Sequence, residues 1–471
     1  MSEIKIGIPL HGKMAARAFH QPSFRQRLTE GGFKPLYFLS PYYFRSFDFD
    51  PSQYFELQVD QYDEYYQKHF LLQQLRMLRR FVIVTETTDL RFRELIESKL
   101  FDATLTGMAL QMTYVAALRR IPGMGRLLSW MERNFYSTHA HDEQFKKQEV
   151  TCVLTPGMGN YGFWNENQFA HEAQRLGIPT FTAITNYDNI VNMGYRGFEP
   201  ACLGVWSRQM ADEAIKLHGY PANKLEITGP VQYDRFMTPL PKSREEFLRS
   251  LNLDPKKKTI LFAGGVNINH YFDIYRVFVE QKDKVWREPF NFIVRPYPHP
   301  KLTNSPAWTV LENLFKQAGA YISNPGSIDA SGDRTAEFRV DLAFDDAPDE
   351  LNYLLRYSDV MVNYFSTIGL EAAICDLPTI HVGFDPYTFG LRFSVTTGFL
   401  QRQTHNRRPL RLAAARVAKN ENELFSALED YLNDRTLDRE ARHVYAESEC
   451  GELDGQAGFR LVNMIKSRIK K

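Results

Sequence analysis

Cysteine is scarce in this chain: four residues in 471, at positions 152, 202, 375 and 450. No two form a CxxC pair or stand beside histidines at metal-ligand spacing, so free thiols in a reducing cytosol are expected, not a disulfide framework or a zinc site. No apolar run is long enough to span a bilayer. The opening MSEIKIGIPLHG lacks the basic stretch and apolar stretch of an export signal. Charge of one sign is missing too. Lys and Arg (57) balance Asp and Glu (56), so no global field recruits nucleic acid or a membrane, and any anion site must be local. A Walker loop ending in Gly-Lys-Ser/Thr is absent, as are an Asp-x-Asp pair closing a central strand, an internal repeat and a low-complexity tract.

What is present is enough chain for two domains, with 44% hydrophobic and 14% aromatic residues to fill their cores. Ile4–Leu10 reads as a strand stopping at His11-Gly12 ahead of helix-like sequence. Residues 34–40 and 81–85 read as further strands, flanking a stretch that turns helical after Gln61. From Phe101 to Gln148 the pattern is helical, with a break at Ile121-Pro-Gly-Met-Gly125. Strands at 150–154, 179–184, 203–206 and 225–228 then alternate with helices, as in a parallel sheet. The Pro-bearing stretch Val231–Lys242 reads as a linker, and strands at 258–265, 291–295, 360–363 and 378–382 rebuild the pattern beyond it. The expected fold class is α/β: a Rossmann-like domain over 1–235, a second over 243–455 and a C-terminal helix over 456–471, with a cleft at the carboxyl ends of both sheets.

The strongest local signal is Asp359-Val-Met-Val-Asn-Tyr-Phe-Ser-Thr-Ile-Gly-Leu-Glu-Ala-Ala373. A buried strand delivers Ser366 and Thr367 to a turn that opens a helix, whose first amides lack partners within the helix. Either hydroxyl can cap that helix and, with the free N–H groups, hold a diphosphate. Gly369 permits close backbone approach, and Glu371, one turn in, can accept from a ribose diol. Taken alone, the segment fits a plain capped helix with a dipole-complementing Glu better. Gly264-Gly265 offers backbone amides to an anion, or simply a turn. In Phe292-Ile-Val-Arg-Pro-Tyr-Pro-His-Pro300, Arg295 brings a planar donor fork and His299 a donor without fixed charge; the rival reading is a proline-stiffened strand exit.

Residues 349–385, DELNYLLRYSDVMVNYFSTIGLEAAICDLPTIHVGFD, resemble the donor-site segment of GT-B glycosyltransferases, where a helix, "aDvvi", a hydroxyl-bearing turn, "glEAm" and "g.PvI" succeed one another. The segment is also similar to that of CDP-glycerol glycerophosphotransferases and bacterial capsule enzymes. The exit at Arg295–Pro300 resembles the "RPHP" or "HP" of the glycerophosphotransferases and of cytidine-nucleotide-using sialyl- and Kdo-type transferases. Residues 205–234 resemble the end of the first domain in these families, with Gly229 and Pro230 as hinge candidates, whereas Ser207 reads as a helix cap. Beyond a GT-B fold of two Rossmann-like domains facing across a cleft, the resemblance implies donor-binding roles for Gly264, Gly265, Arg295, His299, Ser366, Thr367 and Glu371. It further implies a UDP-, GDP- or CDP/CMP-linked donor as substrate, no tightly bound cofactor, and a glycan or lipid-linked acceptor in capsule or lipopolysaccharide assembly. Tyr364-Phe365 stands where many members carry an acidic or small residue, which leaves the donor open. Alternatives are a CDP-glycerol-type glycerophosphotransferase, a non-hydrolysing UDP-sugar 2-epimerase and a degenerate module that binds a polysaccharide. The epimerases carry paired acidic residues after a Ser-Gly-Gly turn, a pattern absent here.

In such enzymes the first domain supplies the acceptor pocket and often the general base. Three loops after strands hold candidates: His11-Gly12-Lys13, Gly157–Asn160 followed by Glu166, and Asn186-Tyr-Asp-Asn189. His11 and Asp188 lead, against a capping or solvent role for His11 and an Asx-type turn for Asp188. Transfer is expected to need no metal, with Arg295, His299 and the Ser366-Thr367 helix stabilising the leaving group, while Asp345-Asp346 reads as solvated charge. Arg76, Arg79, Arg80, Arg119, Arg120 and Arg126, beside Leu127, Leu128, Trp130 and Met131, make either a basic apolar face for a membrane or lipid-linked acceptor or, the commoner outcome, a core helix pair. The expected location is the cytoplasm, with at most peripheral membrane contact.

Overall fold

The computed structural model describes residues 3–41, 50–100, 113–160, 163–265, 267–280, 289–297, 300–323, 350–385 and 396–469. The described residues divide into two compact units, one holding those up to Asp234 and those from Ser448 onward, the other those between Arg235 and Glu447.

The first unit is built on seven parallel strands: β1 (Ile4–Leu10), β2 (Phe33–Leu39), β3 (Tyr54–Glu56), β4 (Cys152–Thr155), β5 (Thr180–Ala183), β6 (Cys202–Val205) and β7 (Leu225–Ile227). Their order is β3-β2-β1-β4-β5-β6-β7. A parallel sheet covered by helices on both faces needs strands that are buried on both sides, and β1 meets this over its last five residues, with Ile6, Ile8 and Leu10 on one face and Gly7 and Pro9 on the other all buried. The second unit repeats the design with six parallel strands: β8 (Thr259–Ala263), β9 (Asn291–Arg295), β10 (Tyr321–Ile322), β11 (Val360–Asn363), β12 (Thr379–Val382) and β13 (Arg416–Ala418). Here the order is β10-β9-β8-β11-β12-β13. Both sheets therefore change winding direction once, between β1 and β4 and between β8 and β11. Loops diverge at such a point, and their carboxyl ends form a crevice where ligands bind.

Two sequence expectations fail in instructive ways. Residues 81–85 form no strand: the helix Phe70–Phe81 ends there, and Phe81 joins Leu75, Leu78, Val115 and Leu128 in a small helical core. A short apolar run fits either structure until its partners are known. The strands β3, β10 and β13, of two or three residues each, escape the sequence pattern; all lie at sheet edges.

The last helix, Ala457–Arg468, packs within the first unit. Its N-terminus is capped from a distance: Asp234 accepts from the amides of Ala457 (3.0 Å) and Gly458 (2.9 Å), while Arg460 donates to the Thr228 carbonyl (3.0 Å). Gly229 takes a left-handed φ of 81° beside this helix, a conformation that favours glycine. Ser207 caps the helix Arg208–His218 through the Met210 amide, as expected. All four cysteines are unpaired, and no helix among the described residues is long and apolar enough to cross a membrane.

Four buried histidines tie stability to pH. Burial pulls His171, His218 and His381 down to about 4 and His270 to about 3. His218 is held as the neutral tautomer, Nε2 donating to the Ile190 carbonyl (2.8 Å) and Nδ1 accepting from the Arg196 amide (3.3 Å). Folded values below the unfolded one near 6.5 mean that the unfolded chain binds more protons between about pH 4 and 6.5. Stability thus falls on acidification across that window, by up to about 1.4 kcal/mol per pH unit for each histidine. Two carboxyls oppose the trend: burial raises Glu166 in the first unit and lifts Asp273 to about 7 in the second. Calorimetric unfolding at pH 7.5, 6.5 and 5.5 is expected to show falling midpoints, and an unchanged midpoint contradicts the assignment.

Candidate active site

In the second unit, parallel register sets one row of residues across the carboxyl edge: Arg295 on β9, Ala263 on β8, Asn363 on β11 and His381 on β12. Gly264-Gly265 leaves β8 from this row and Tyr364–Thr367 leaves β11, so the two segments with anion-binding chemistry straddle the change of winding direction. Gly264 is a packing requirement. A Cβ there would meet the Tyr271 ring at 2.4 Å, and the Tyr271 hydroxyl donates to the Gly265 carbonyl (3.0 Å) and accepts from the Tyr297 amide (2.8 Å), tying the β8 and β9 exits together. Gly265 faces open space within 4 Å. Gly264→Ala is therefore expected to cost about 1–3 kcal/mol by overpacking, and Gly265→Ala to leave the free protein's unfolding unchanged; denaturant titration of both variants checks the contrast.

The turn after β11 is strained. Phe365 has φ 52°, a left-handed conformation rare for a bulky side chain, and its ring stacks on His381 at 4.5 Å. Neither Ser366 nor Thr367 caps the following helix, Ile368–Ile374. Thr367 is already helical at φ −55°, and the Asn363 side chain takes the capping duty by accepting from the Ser366 amide at 2.7 Å. Among the described residues the Ser366 and Thr367 hydroxyls and the Thr367 amide have no hydrogen-bond partner, and both residues are partly exposed. Glu371 is buried one turn into the helix.

Arg295 is committed elsewhere. It donates to Ser323 Oγ (2.7 Å) and lies 3.7 Å from Glu350, which also accepts from Tyr321 (2.7 Å) and Ser323 (2.9 Å). His299 and Asp345-Asp346 lie outside the described residues. Sequence reasoning missed a buried polar group below the β8 and β11 exits. His270 stacks flat on Tyr364 (3.8 Å, 2°); both ring nitrogens, the Tyr364 hydroxyl and both Asp273 oxygens are buried without hydrogen-bond partners. His270 and Asp273 sit three apart in the helix Ile268–Tyr275, a spacing that puts them on one face and was visible in the sequence.

In the first unit the β1 exit brings His11 to the start of the helix Trp164–Arg175, where the Asn165 side chain meets His11 Nε2 at 3.0 Å. His11 Nδ1 is buried without a partner, as is Glu166 Oε2. Glu166 is pushed up by burial and drawn partway back by the charge of His11. A neighbouring imidazole and carboxyl at the change of winding direction can accept and hold a proton. Asp188 lies at the β5 exit, bonded to the Asn192 side chain (2.8 Å) at the head of the short helix Asn189–Asn192. The Asn186 side chain accepts from the adjacent Tyr187 amide (3.0 Å), one residue on and not the two of an Asx turn, and the bond described for the Asp188 side chain is the one from Asn192.

The arginines Arg76 and Arg79 are not a surface. Both are buried and flank the fully buried Glu132 at 2.9 Å each, in the packed helix pair Phe70–Phe81 and Met124–Phe135. Burial alone would raise Glu132, but the charges of Arg79 and Arg76 outweigh it and bring the carboxyl to about 2. Asn167 donates to the same carboxylate (2.9 Å), both guanidinium groups stack on Trp164 at 5.0 Å, and Arg79 donates to the Gly159 carbonyl (2.6 Å). This ionic cluster thereby fixes the β4 exit and the first turn of the helix that presents Asn165 and Glu166. Among the described residues, no three His, Cys, Asp or Glu side chains converge as a metal site.

No protein-family model matches the chain, and no curated protein is similar to it in sequence. Among solved structures, a Listeria monocytogenes protein named as a UDP-N-acetylglucosamine 2-epimerase is similar over 99% of this chain and 96% of its own, at 12% identity and TM-score 0.52. Another UDP-N-acetylglucosamine 2-epimerase covers the same shares at 13% identity and TM-score 0.50. A glycosyltransferase from Rickettsia africae ESF-5 covers 100% of this chain and 99% of its own, at 10% identity and TM-score 0.48. Two parallel α/β sheets, each turning once, and likeness along almost the whole length identify the fold of this chain as that of the GT-B type.

Proposed function

We propose that the protein transfers a sugar from a nucleotide-activated donor to a hydroxyl of a glycan or lipid-linked acceptor, in surface polysaccharide assembly on the cytoplasmic side. The observation that carries this reading is the carboxyl edge of the second sheet. There the partly exposed β8 exit at Gly265 and the hydroxyls of Ser366 and Thr367, unpartnered among the described residues, stand at the one change of winding direction, beside a strained turn. Strain of about 1–3 kcal/mol at one residue persists where the surroundings impose it, and functional sites are where it clusters.

The chemistry follows from these groups. The donor diphosphate lies against the β8 and β11 exits, Glu371 accepts from the ribose, and His299 and Arg295 add donor character, Arg295 by giving up part of its contact with Ser323 and Glu350 when the donor binds. As the acceptor oxygen attacks the anomeric carbon, the bond to the diphosphate breaks and its charge falls on preorganised amides and hydroxyls. The acceptor proton passes to His11, whose cation the adjacent Glu166 stabilises, with Asp188 as the other candidate base.

Two other reactions fit the same fold. Two of the similar structures, with TM-scores of 0.52 and 0.50, bear the name UDP-N-acetylglucosamine 2-epimerase, which makes an acceptor-free epimerisation the second reading. A glycerophosphotransferase stays close through the Arg295–Pro300 exit. Incubation with UDP-, GDP- and CDP-linked donors, with and without a glycan acceptor, separates them. A glycoside lacking donor phosphorus supports transfer of sugar, a phosphodiester supports the glycerol phosphate reading, and a 2-epimer formed without acceptor supports epimerisation.

A further inference from the structure

The helix Met124–Phe135 turns Gly125, Leu128 and Glu132 inward and leaves a mixed outer face. Leu127 and Trp130 are each 48% exposed and Phe135 61%, while Arg126 and Arg133 stand exposed among them. The only carboxylate of this helix, Glu132, is buried in its ion cluster, so every exposed ionised side chain on the helix is an arginine. The apolar face continues past the helix end. Tyr136 meets His69 edge-on at 5.8 Å, which places Phe70 and Leu71, 69% and 53% exposed, at the same end of the helix pair.

Beside this face lies a cavity of about 320 Å³, lined by Arg126, Trp130, Arg133, Tyr195, Arg196 and Glu199 among others. Glu199 is balanced by Arg196 (2.9 Å) and Lys224 (2.6 Å), and Arg126 reaches the Gly219 carbonyl at 3.3 Å, so Arg133 is left with no described partner. The cavity shares none of its lining with His11, Asn165 or Glu166.

Exposed tryptophan, phenylalanine and leucine mixed with Arg126 and Arg133, neither of which meets a described carboxylate, suit the boundary between acyl chains and anionic headgroups, where apolar burial and charge attraction add. A water-facing helix gains nothing from that composition. We propose that this face docks the protein on an anionic phospholipid bilayer, with Leu127, Trp130 and Phe135 entering the interface and the arginine-lined cavity receiving a lipid phosphate. The docking does not depend on which reaction the protein catalyses.

Sedimentation of the full chain with vesicles tests this, comparing phosphatidylcholine alone with phosphatidylcholine mixed with phosphatidylglycerol. The wild type is expected to sediment with the anionic vesicles at low salt, less so at high salt, and hardly with the neutral ones. Arg126→Gln with Arg133→Gln should lower partition about 30-fold, from two arginines acting near the surface. Trp130→Ala with Phe135→Ala should lower it at both salt concentrations. All four side chains are exposed, so circular dichroism should show both variants folded. Absence of binding to anionic vesicles, equal binding to neutral ones, or binding unchanged in both variants overturns the proposal.

Discussion

Glu132→Ala is expected to destabilise the first unit by about 3–5 kcal/mol, because it leaves Arg76 and Arg79 as uncompensated charges inside a dry core. The carboxylate is fully buried and pairs with both guanidinium groups at 2.9 Å, and Asn167 loses its acceptor as well. Burial lowers Arg79 to about 10 even with Glu132 present, which indicates how poorly the site tolerates positive charge alone. The loss is a property of broken pairing, not of lost attraction. Replacing the whole cluster, Arg76→Met, Glu132→Leu and Arg79→Met together, should therefore recover most of it. Urea unfolding of the three proteins measures this, and a single-variant loss below about 1 kcal/mol contradicts the account. Since the cluster stacks on Trp164 and holds the Gly159 carbonyl, the single variant should also disturb the His11 loop.

His11→Ala is expected to lower kcat by about 10²–10⁴-fold while leaving nucleotide affinity within a factor of two or so of wild type. The residue belongs to the first unit and the proposed donor site to the second, so removing the proposed base should spare nucleotide binding. Glu166→Gln should fall less far, because an amide keeps the shape and loses only the stabilisation of the imidazolium. Steady-state kinetics paired with nucleotide titration check both. A variant that loses donor binding along with turnover would place His11 in binding, and unchanged kcat would move the role of base to Asp188.

The central strands were legible in the sequence because strands buried on both faces read as mostly apolar runs, as β1, β8 and β11 do apart from a polar residue in each. The edge strands β3, β10 and β13 were not, being too short to carry any period. Ser366-Thr367 was correctly placed at a strand-to-helix turn, yet the cap came from Asn363, three residues upstream, an alternative the sequence permits and does not select. Leu72, Leu75, Arg76 and Arg79 fall on one helical face, so two buried arginines could have been suspected. Their partner Glu132 is more than fifty residues away, and pattern within a helix says nothing about such a contact. The pairing of His11 with Asn165 is equally non-local, although both exits were singled out.

The most direct test of the donor assignment is thermal unfolding of the intact protein with UDP, GDP, CDP and CMP, each with and without magnesium. A ligand that binds only the folded state stabilises it by about 2.7 kcal/mol at a hundred times its Kd. The account predicts that one nucleotide raises the unfolding midpoint. That rise should shrink in Ser366→Ala and Gly265→Val, two changes at partly exposed positions whose ligand-free midpoints should stay near wild type. No response to any nucleotide, or a response untouched by both variants, would contradict a donor site at the β8 and β11 exits.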